Sequence, residues 1–365
     1  MSDDLIRYIR PVLPSTREWT PYLEESYAVG YFANFGPTVR HFEQRLKKEY
    51  ARGRAAVTAP NATNGLVVAL QALGIRGKVL IPSYTFPATA HAVLMAECTP
   101  VFCDISEDTW ELDPRAVAKA LQDPDICAVM HVRAYGFGHD LSWLEALATK
   151  RGVPLIIDSA AAIGGTASTR GFVGQQGDVE VFSFHATKVF GIGEGATLFV
   201  DQKHEEAVRR ASNFGILYPD VTGPGQNSKM SDFQAAVGLA LLDRIDGYIQ
   251  RRREVVERYH HVLSGLEWIT QAPKPELSPW QSYPVRLGSG KDAQRILETA
   301  LKKGLELKRG YYRPLHRTTY FSRFAHGGMP VTDAIGETVV CLPVYSDMPL
   351  ELAGKVLELF MASAR

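Results

Sequence analysis

The sequence predicts an α/β fold, with a mostly parallel sheet covered by helices on both faces and a smaller α+β domain after it. Three observations carry that prediction. Seven short apolar runs recur, at 55–59, 79–81, 100–103, 126–132, 155–157, 179–184 and 197–200. Runs that are mainly apolar, and not merely at alternate positions, suit strands buried on both faces. Segments of helical length and period lie between several of them, at 63–73, 88–96 and 141–150, as crossovers between parallel strands require. Near residue 230 the character changes to long helical patterns. The predicted division is therefore a large domain with its N-terminal segment over 1–230 and a small domain over 231–365.

Residues 1–35 hold prolines and aromatics without a clear period, and Asn34-Phe35-Gly36-Pro37 makes a turn before a helix pattern over 38–50. After the seven runs, helices are expected at 231–242, 245–266, 292–303 and 350–362, with a strand at 283–287. Residues 272–280 are proline-bearing, and the segment 310–326 is loose. Acidic and basic residues balance at 40 each, so no net field favours nucleic acid or an anionic membrane. The run Arg251-Arg252-Arg253 precedes Glu254 and Glu257 and is expected to be a solvated helix face. Cys98, Cys103, Cys127 and Cys341 show no metal or redox spacing and fit a reduced compartment. No apolar run approaches the roughly 20 residues needed to span a bilayer. Met1-Ser2-Asp3-Asp4 does not open a secretory signal, so a soluble cytoplasmic protein is expected.

In an open α/β sheet, ligands gather at the carboxyl ends of the strands. Lys188 lies on a turn between the runs 179–184 and 197–200, a poor place for a solvated cation and a good one for an amine neutralised by desolvation. Asp158 ends the run 155–157, where a buried acid needs a cationic partner. Ala62 and Thr63 open a helix after 55–59, where free amides suit a phosphate. Phe86 follows 79–81 and offers a face to a flat ring, and the Ser183 hydroxyl precedes Lys188 by five residues. An amine for an aldehyde, an acid for a ring nitrogen, an aromatic face and phosphate donors are together what pyridoxal 5'-phosphate requires.

The motifs Asn34-Phe35-Gly36-Pro37, Pro82-Ser83-Tyr84-Thr85-Phe86, Asp158-Ser159-Ala160, Ser183-Phe184-His185-Ala186-Thr187-Lys188 and Gly225-Gln226-Asn227-Ser228-Lys229-Met230-Ser231-Asp232 resemble those of the DegT/DnrJ/EryC1/StrS family of sugar aminotransferases. The resemblance implies the type I, aspartate aminotransferase-like fold with a seven-stranded sheet. It assigns the cofactor aldehyde to Lys188, the pyridine nitrogen to Asp158, the ring face to Phe86, and the phosphate to Thr63 and Ser183 beside Ala62. It further implies a homodimer in which Asn227 reaches the neighbouring subunit's phosphate. Lys229, Tyr311 and His316 then contact a nucleotide-linked sugar. His185-Ala186-Thr187-Lys188 is similar to members that aminate dTDP-4-keto-6-deoxyhexoses at C4, with L-glutamate as donor.

Four positions depart from the family pattern. Ala161 stands where Gln or His is usual, Ala62 and Ala196 where Gly is, and Arg133 where His is; the Arg133 charge is expected to meet a phosphate or a carboxylate. A silent cofactor-binding relative and a sugar dehydratase or epimerase remain as alternatives. Three signals are set aside. The glycines of 191–195 precede a strand and not a helix, so they are no dinucleotide fingerprint. Gly288-Ser289-Gly290-Lys291 lacks the other residues of a P-loop, and the histidines show no metal-ligand spacing.

Overall fold

The computed structural model describes residues 5–167, 171–288 and 292–365. The tetrapeptide Met1–Asp4 and most of the Gly288–Lys291 motif therefore lie outside the described residues. All seven apolar runs form strands of one sheet: β1 (Ala55–Ala59), β2 (Lys78–Pro82), β3 (Thr99–Cys103), β4 (Ile126–Val132), β5 (Leu155–Asp158), β6 (Val179–Ser183) and β7 (Ala196–Val200). Their order is β1-β7-β6-β5-β4-β2-β3. β7 runs antiparallel to both neighbours, and the other pairs are parallel.

The strands are largely apolar on both faces because successive side chains feed two different cores. Val79, Ile81 and Ile156 enter a core with the helices α1 (Ala62–Ala72) and α2 (Pro87–Met95), whereas Leu80, Leu155 and Ile157 pack on the other face against the helices Pro114–Ala120 and Ser142–Arg151. Proline opens α2 at a position where its missing N–H costs nothing. The helix Pro114–Ala120 is capped by Asp113, whose side chain accepts the Ala116 amide at 2.8 Å. The helix Pro37–Leu46 starts as it does because Asp232 accepts the Thr38 amide at 2.8 Å. A Cβ on Gly36 would collide with that carboxylate, which ties the first recognised motif to the last.

A second, antiparallel sheet orders β8 (Ile269–Gln271), β9 (Ser282–Leu287), β10 (Lys308–Arg309) and β11 (Val339–Pro343) as β8-β9-β11-β10. Helices Ile245–Leu263, Ala293–Lys302 and Leu350–Ala364 share its core, and so does Ile6, which bridges Leu305. The start of the chain thus packs with its C-terminal part. The central strand β11 was not expected from the sequence, since its short run follows directly on the helix Pro330–Thr338. The arginine run does lie on a helix, but its middle member is no solvated residue. Arg252 is 4 % exposed and donates to the carbonyls of Trp280 and Val344 at 2.8 and 2.9 Å. No helix among the described residues is long and apolar enough to cross a membrane.

Candidate active site

The parallel strands bring their carboxyl ends to one edge of the sheet. In register, Val132 pairs with Asp158, and Asp158 with Val181, two residues before Ser183. Ser183 and Ala59 both face Ala196 across β7, so the N-terminus of α1 and the end of β6 lie on the same edge.

Asp158 is 6 % exposed. Burial pushes its carboxyl up from the ordinary range; the Thr89 hydroxyl at 2.8 Å, the Ala160 amide at 3.2 Å and the charge of Lys188 oppose that shift. Thr89 stands one turn into α2, whose N-cap is Phe86, and this places the aromatic residue beside the acid's support. The Phe86 ring is 66 % exposed, an open apolar face. Lys188 is half-buried as a residue, yet its amine is deep enough for desolvation to lower its basicity, with Asp158 the opposing charge. Its Nζ donates to Oε1 of Gln281 at 3.0 Å. The Gln281 amide in turn donates to Thr187 Oγ1 at 3.4 Å.

At the helix end, Asn61 is the N-cap and accepts the Asn64 amide at 2.9 Å. The cap leaves the amides of Ala62 and Thr63 uncommitted among the described residues. Ser183 is buried, and its Oγ accepts the His185 amide at 3.2 Å, which leaves the hydroxyl proton free for another acceptor.

A wall of tyrosines adjoins Asp158. Tyr84 and Tyr135 share a hydroxyl hydrogen bond of 2.7 Å, and the Tyr311 ring lies 5.1 and 5.0 Å from theirs. A Cβ on Gly310 would collide with the Tyr135 hydroxyl. Burial raises the Tyr311 phenol, and the charge of Asp158 adds to the effect. His316 is buried with Nδ1 2.7 Å from Ser83 Oγ and Nε2 3.1 Å from Asp333, so both ring nitrogens face protein groups.

Asn227 and Lys229 stand apart. Asn227 is exposed and bridges to Asn213, while Lys229 Nζ lies 2.8 Å from Asn213 Oδ1 and 4.6 Å from the Phe214 ring. Among the described residues neither shares a hydrogen bond or ion pair with Lys188 or Asp158. They adjoin the hairpin of Ile216–Leu217 and Asp220–Val221, where Phe214, Leu217, Tyr218 and Val221 are all exposed, Tyr218 to 91 %.

Under the site lie two charged networks. Arg133 meets a carboxylate, but an internal one: its Nε donates to Glu180 at 3.0 Å, and Ser159 donates to the same oxygen at 2.5 Å. Glu111 lies 3.0 Å from His139 Nδ1 and 3.4 Å from His131 Nε2. Burial alone would raise the Glu111 carboxyl, but the two rings outweigh it and pull it to about 2.

Thr89, Tyr135 and Gln281 are residues at this site that sequence reasoning missed. Thr89 had a usable signal, being one helical turn after Phe86 at a helix start. Gln281 had none.

Residues 15–361 match the DegT/DnrJ/EryC1/StrS aminotransferase family. The chain is 30% identical over 370 residues to a dTDP-4-amino-4,6-dideoxy-D-glucose transaminase of Escherichia coli, covering 99% of each chain. Among solved structures, DesI in the presence of its TDP-sugar product matches with a TM-score of 0.92 at 30% identity, over 100% of this chain and 94% of that one. A protein of Bacillus cereus ATCC 10987 classed as a PLP-dependent aminotransferase matches with a TM-score of 0.92 at 28% identity, over 98% of this chain and 100% of that one.

Proposed function

The chain belongs to the DegT/DnrJ/EryC1/StrS aminotransferase family, and on that premise we propose that it transfers an amino group from L-glutamate to C4 of a dTDP-linked 4-keto-6-deoxyhexose. It is a pyridoxal phosphate-dependent sugar-nucleotide aminotransferase. The observation that supports the reading best is a lysine amine of lowered basicity facing a buried carboxylate at the edge where the strands end. The rest of the donor set fits the cofactor. The Phe86 face is open, two amides and the Ser183 hydroxyl suit its phosphate, and Asp158 is a buried acceptor that forms no ion pair among the described residues.

When bound, pyridoxal phosphate supplies an electron sink for the carbon that loses its proton. The protein does the rest. Asp158, kept towards its ionised form by Thr89 and Ala160, would accept the hydrogen bond of the ring nitrogen and hold the proton there. Lys188 would hold the cofactor, and its free Nζ would take the proton from the substrate carbon and return it. The tyrosine wall bounds the site on the Asp158 side and excludes water from it.

The sugar nucleotide is assigned to Tyr311 from one subunit and Lys229 from its neighbour, with His316 bracing the segment that carries Tyr311. Asn227 serves the neighbouring phosphate. The exposed apolar hairpin beside Asn227 and Lys229 supports that shared arrangement, since so much apolar surface in one place marks an interface. Four unpaired thiols suit a cytoplasmic location.

Incubation with L-glutamate and a panel of keto sugar nucleotides, read by mass spectrometry, tests the function. The expected outcome is an amino sugar from the 4-keto substrates with 2-oxoglutarate released in equal amount. Product from 3-keto sugars alone would move the reaction to C3. Product without 2-oxoglutarate would give it to a dehydratase or epimerase, and no reaction with glutamate would leave a silent binder.

A further inference from the structure

Gln281 comes to the site from outside the large sheet, at the end of a segment that is held unusually firmly. The residue before it, Trp280, has φ of 63°, in a region that bulky side chains rarely adopt, and is fully buried. Four hydrogen bonds hold it there. Its indole N–H donates to Pro275 O at 2.6 Å, its amide donates to Ser278 Oγ at 3.0 Å, Ser278 donates to Tyr135 O at 2.8 Å, and Arg252 donates to the Trp280 carbonyl at 2.8 Å. Backbone strain of this kind persists only where the surroundings over-determine it, and it gathers at functional sites. Here its effect is to aim the next side chain.

The amide of that side chain can be presented in only one sense. Its NH2 group is taken by Thr187 Oγ1 at 3.4 Å, so the carbonyl oxygen faces Lys188 Nζ at 3.0 Å. Among the described residues this oxygen is the only hydrogen-bond acceptor that the amine has. The charges around it are few. The charge of Asp158 on β5 reaches it, His185 on its own turn is engaged by Thr187 at 2.8 Å and by Glu194 at 3.7 Å, and the Tyr311 phenol in turn feels Asp158. An acceptor-only contact favours the ammonium over the amine, against the desolvation that favours the amine.

We propose that Gln281 is a positioning residue for Lys188: its amide oxygen fixes the free amine in the site and raises its affinity for a proton. The role rests on the aminotransferase reading, because it matters in the part of the cycle when Lys188 is free and must carry a proton. The amide sets how readily Nζ picks that proton up and how readily it gives it back.

The test is the pH dependence of Lys188 labelling by acetic anhydride in the full-length chain freed of cofactor, read by peptide mass spectrometry. Gln281→Met keeps the length and removes the acceptor; it should lower the midpoint by about one pH unit. Gln281→Glu places a carboxylate there and should raise the midpoint by at least as much. Thr187→Val frees the amide to turn and should lower the midpoint by less than Gln281→Met does. A merely structural residue would not move the midpoint in opposite directions. Midpoints equal to that of the wild type in both Gln281 variants, or moved in the same direction, would overturn the inference. Loading of the wild type with pyridoxal phosphate, read as visible absorbance, separates the two claims. A protein that loads yet shows no opposed shifts loses this role alone, and one that shows the shifts yet never loads keeps the pair and loses the aminotransferase reading.

Discussion

Asp158 and Lys188 are each pushed toward neutrality by the same cause, the loss of water, and specific neighbours resist that push to different degrees. For Asp158 the largest resisting influence is the Thr89 hydroxyl. Its folded carboxyl lies above the ordinary value, so the ionised form, which the proposed reaction needs at the ring nitrogen, is lost as pH falls. Thr89→Val should push the carboxyl higher still and move the acid limb of the pH–activity profile upward by about one unit, with the alkaline limb in place. An acid limb that stays where it is would show that Thr89 does not support the acid. Asp158 could be singled out in the sequence as a charge at the end of an apolar run, and Lys188 as a lysine on the turn between two such runs. Arg133 was legible only as a charge. That it meets Glu180 depends on β4 and β6 flanking β5, an arrangement that no local pattern shows. Gln281 lies 93 residues from Lys188, and its neighbourhood exists only in the packed chain.

At the level of elements, the strands of the large sheet announced themselves because they feed two cores at once. Strand β11 did not, because its run follows directly on the helix Pro330–Thr338, and neither did the helix Glu205–Ala211, which is too short for a period to show. Gly36 was recognised by resemblance, and its physical reason became visible only with the Asp232 carboxylate lying against it. The hairpin of Ile216–Leu217 and Asp220–Val221 was likewise not predicted as an element. It carries little of the core, and its apolar side chains face outward. If it joins two copies of the chain as proposed, Leu217→Glu buries a charge in the interface without touching the core. The mass in solution should then fall from two chains to one, while the helical signal persists. A wild type that is already monomeric, or a variant that stays dimeric, would remove the hairpin from the interface.

Across the whole molecule, the site draws on both sheets. The large sheet brings Asp158 and Ser183 to the candidate site, the turn between β6 and β7 brings Lys188, and the part of the chain built around the second sheet brings Gln281 and Tyr311. The sequence showed the change of character near residue 230, and we propose that boundary between a large and a small domain. The packing of residues near Ile6 against the second sheet was hidden, since it joins the two ends of the chain. The account as a whole depends on the chemistry of one amine. The most direct measurement is the visible absorbance and turnover of the purified protein with pyridoxal phosphate and L-glutamate, beside the Lys188→Ala variant. The wild type should gain colour with the cofactor and lose it with glutamate, and the variant should show neither the colour nor turnover. A coloured and active Lys188→Ala protein would contradict the account.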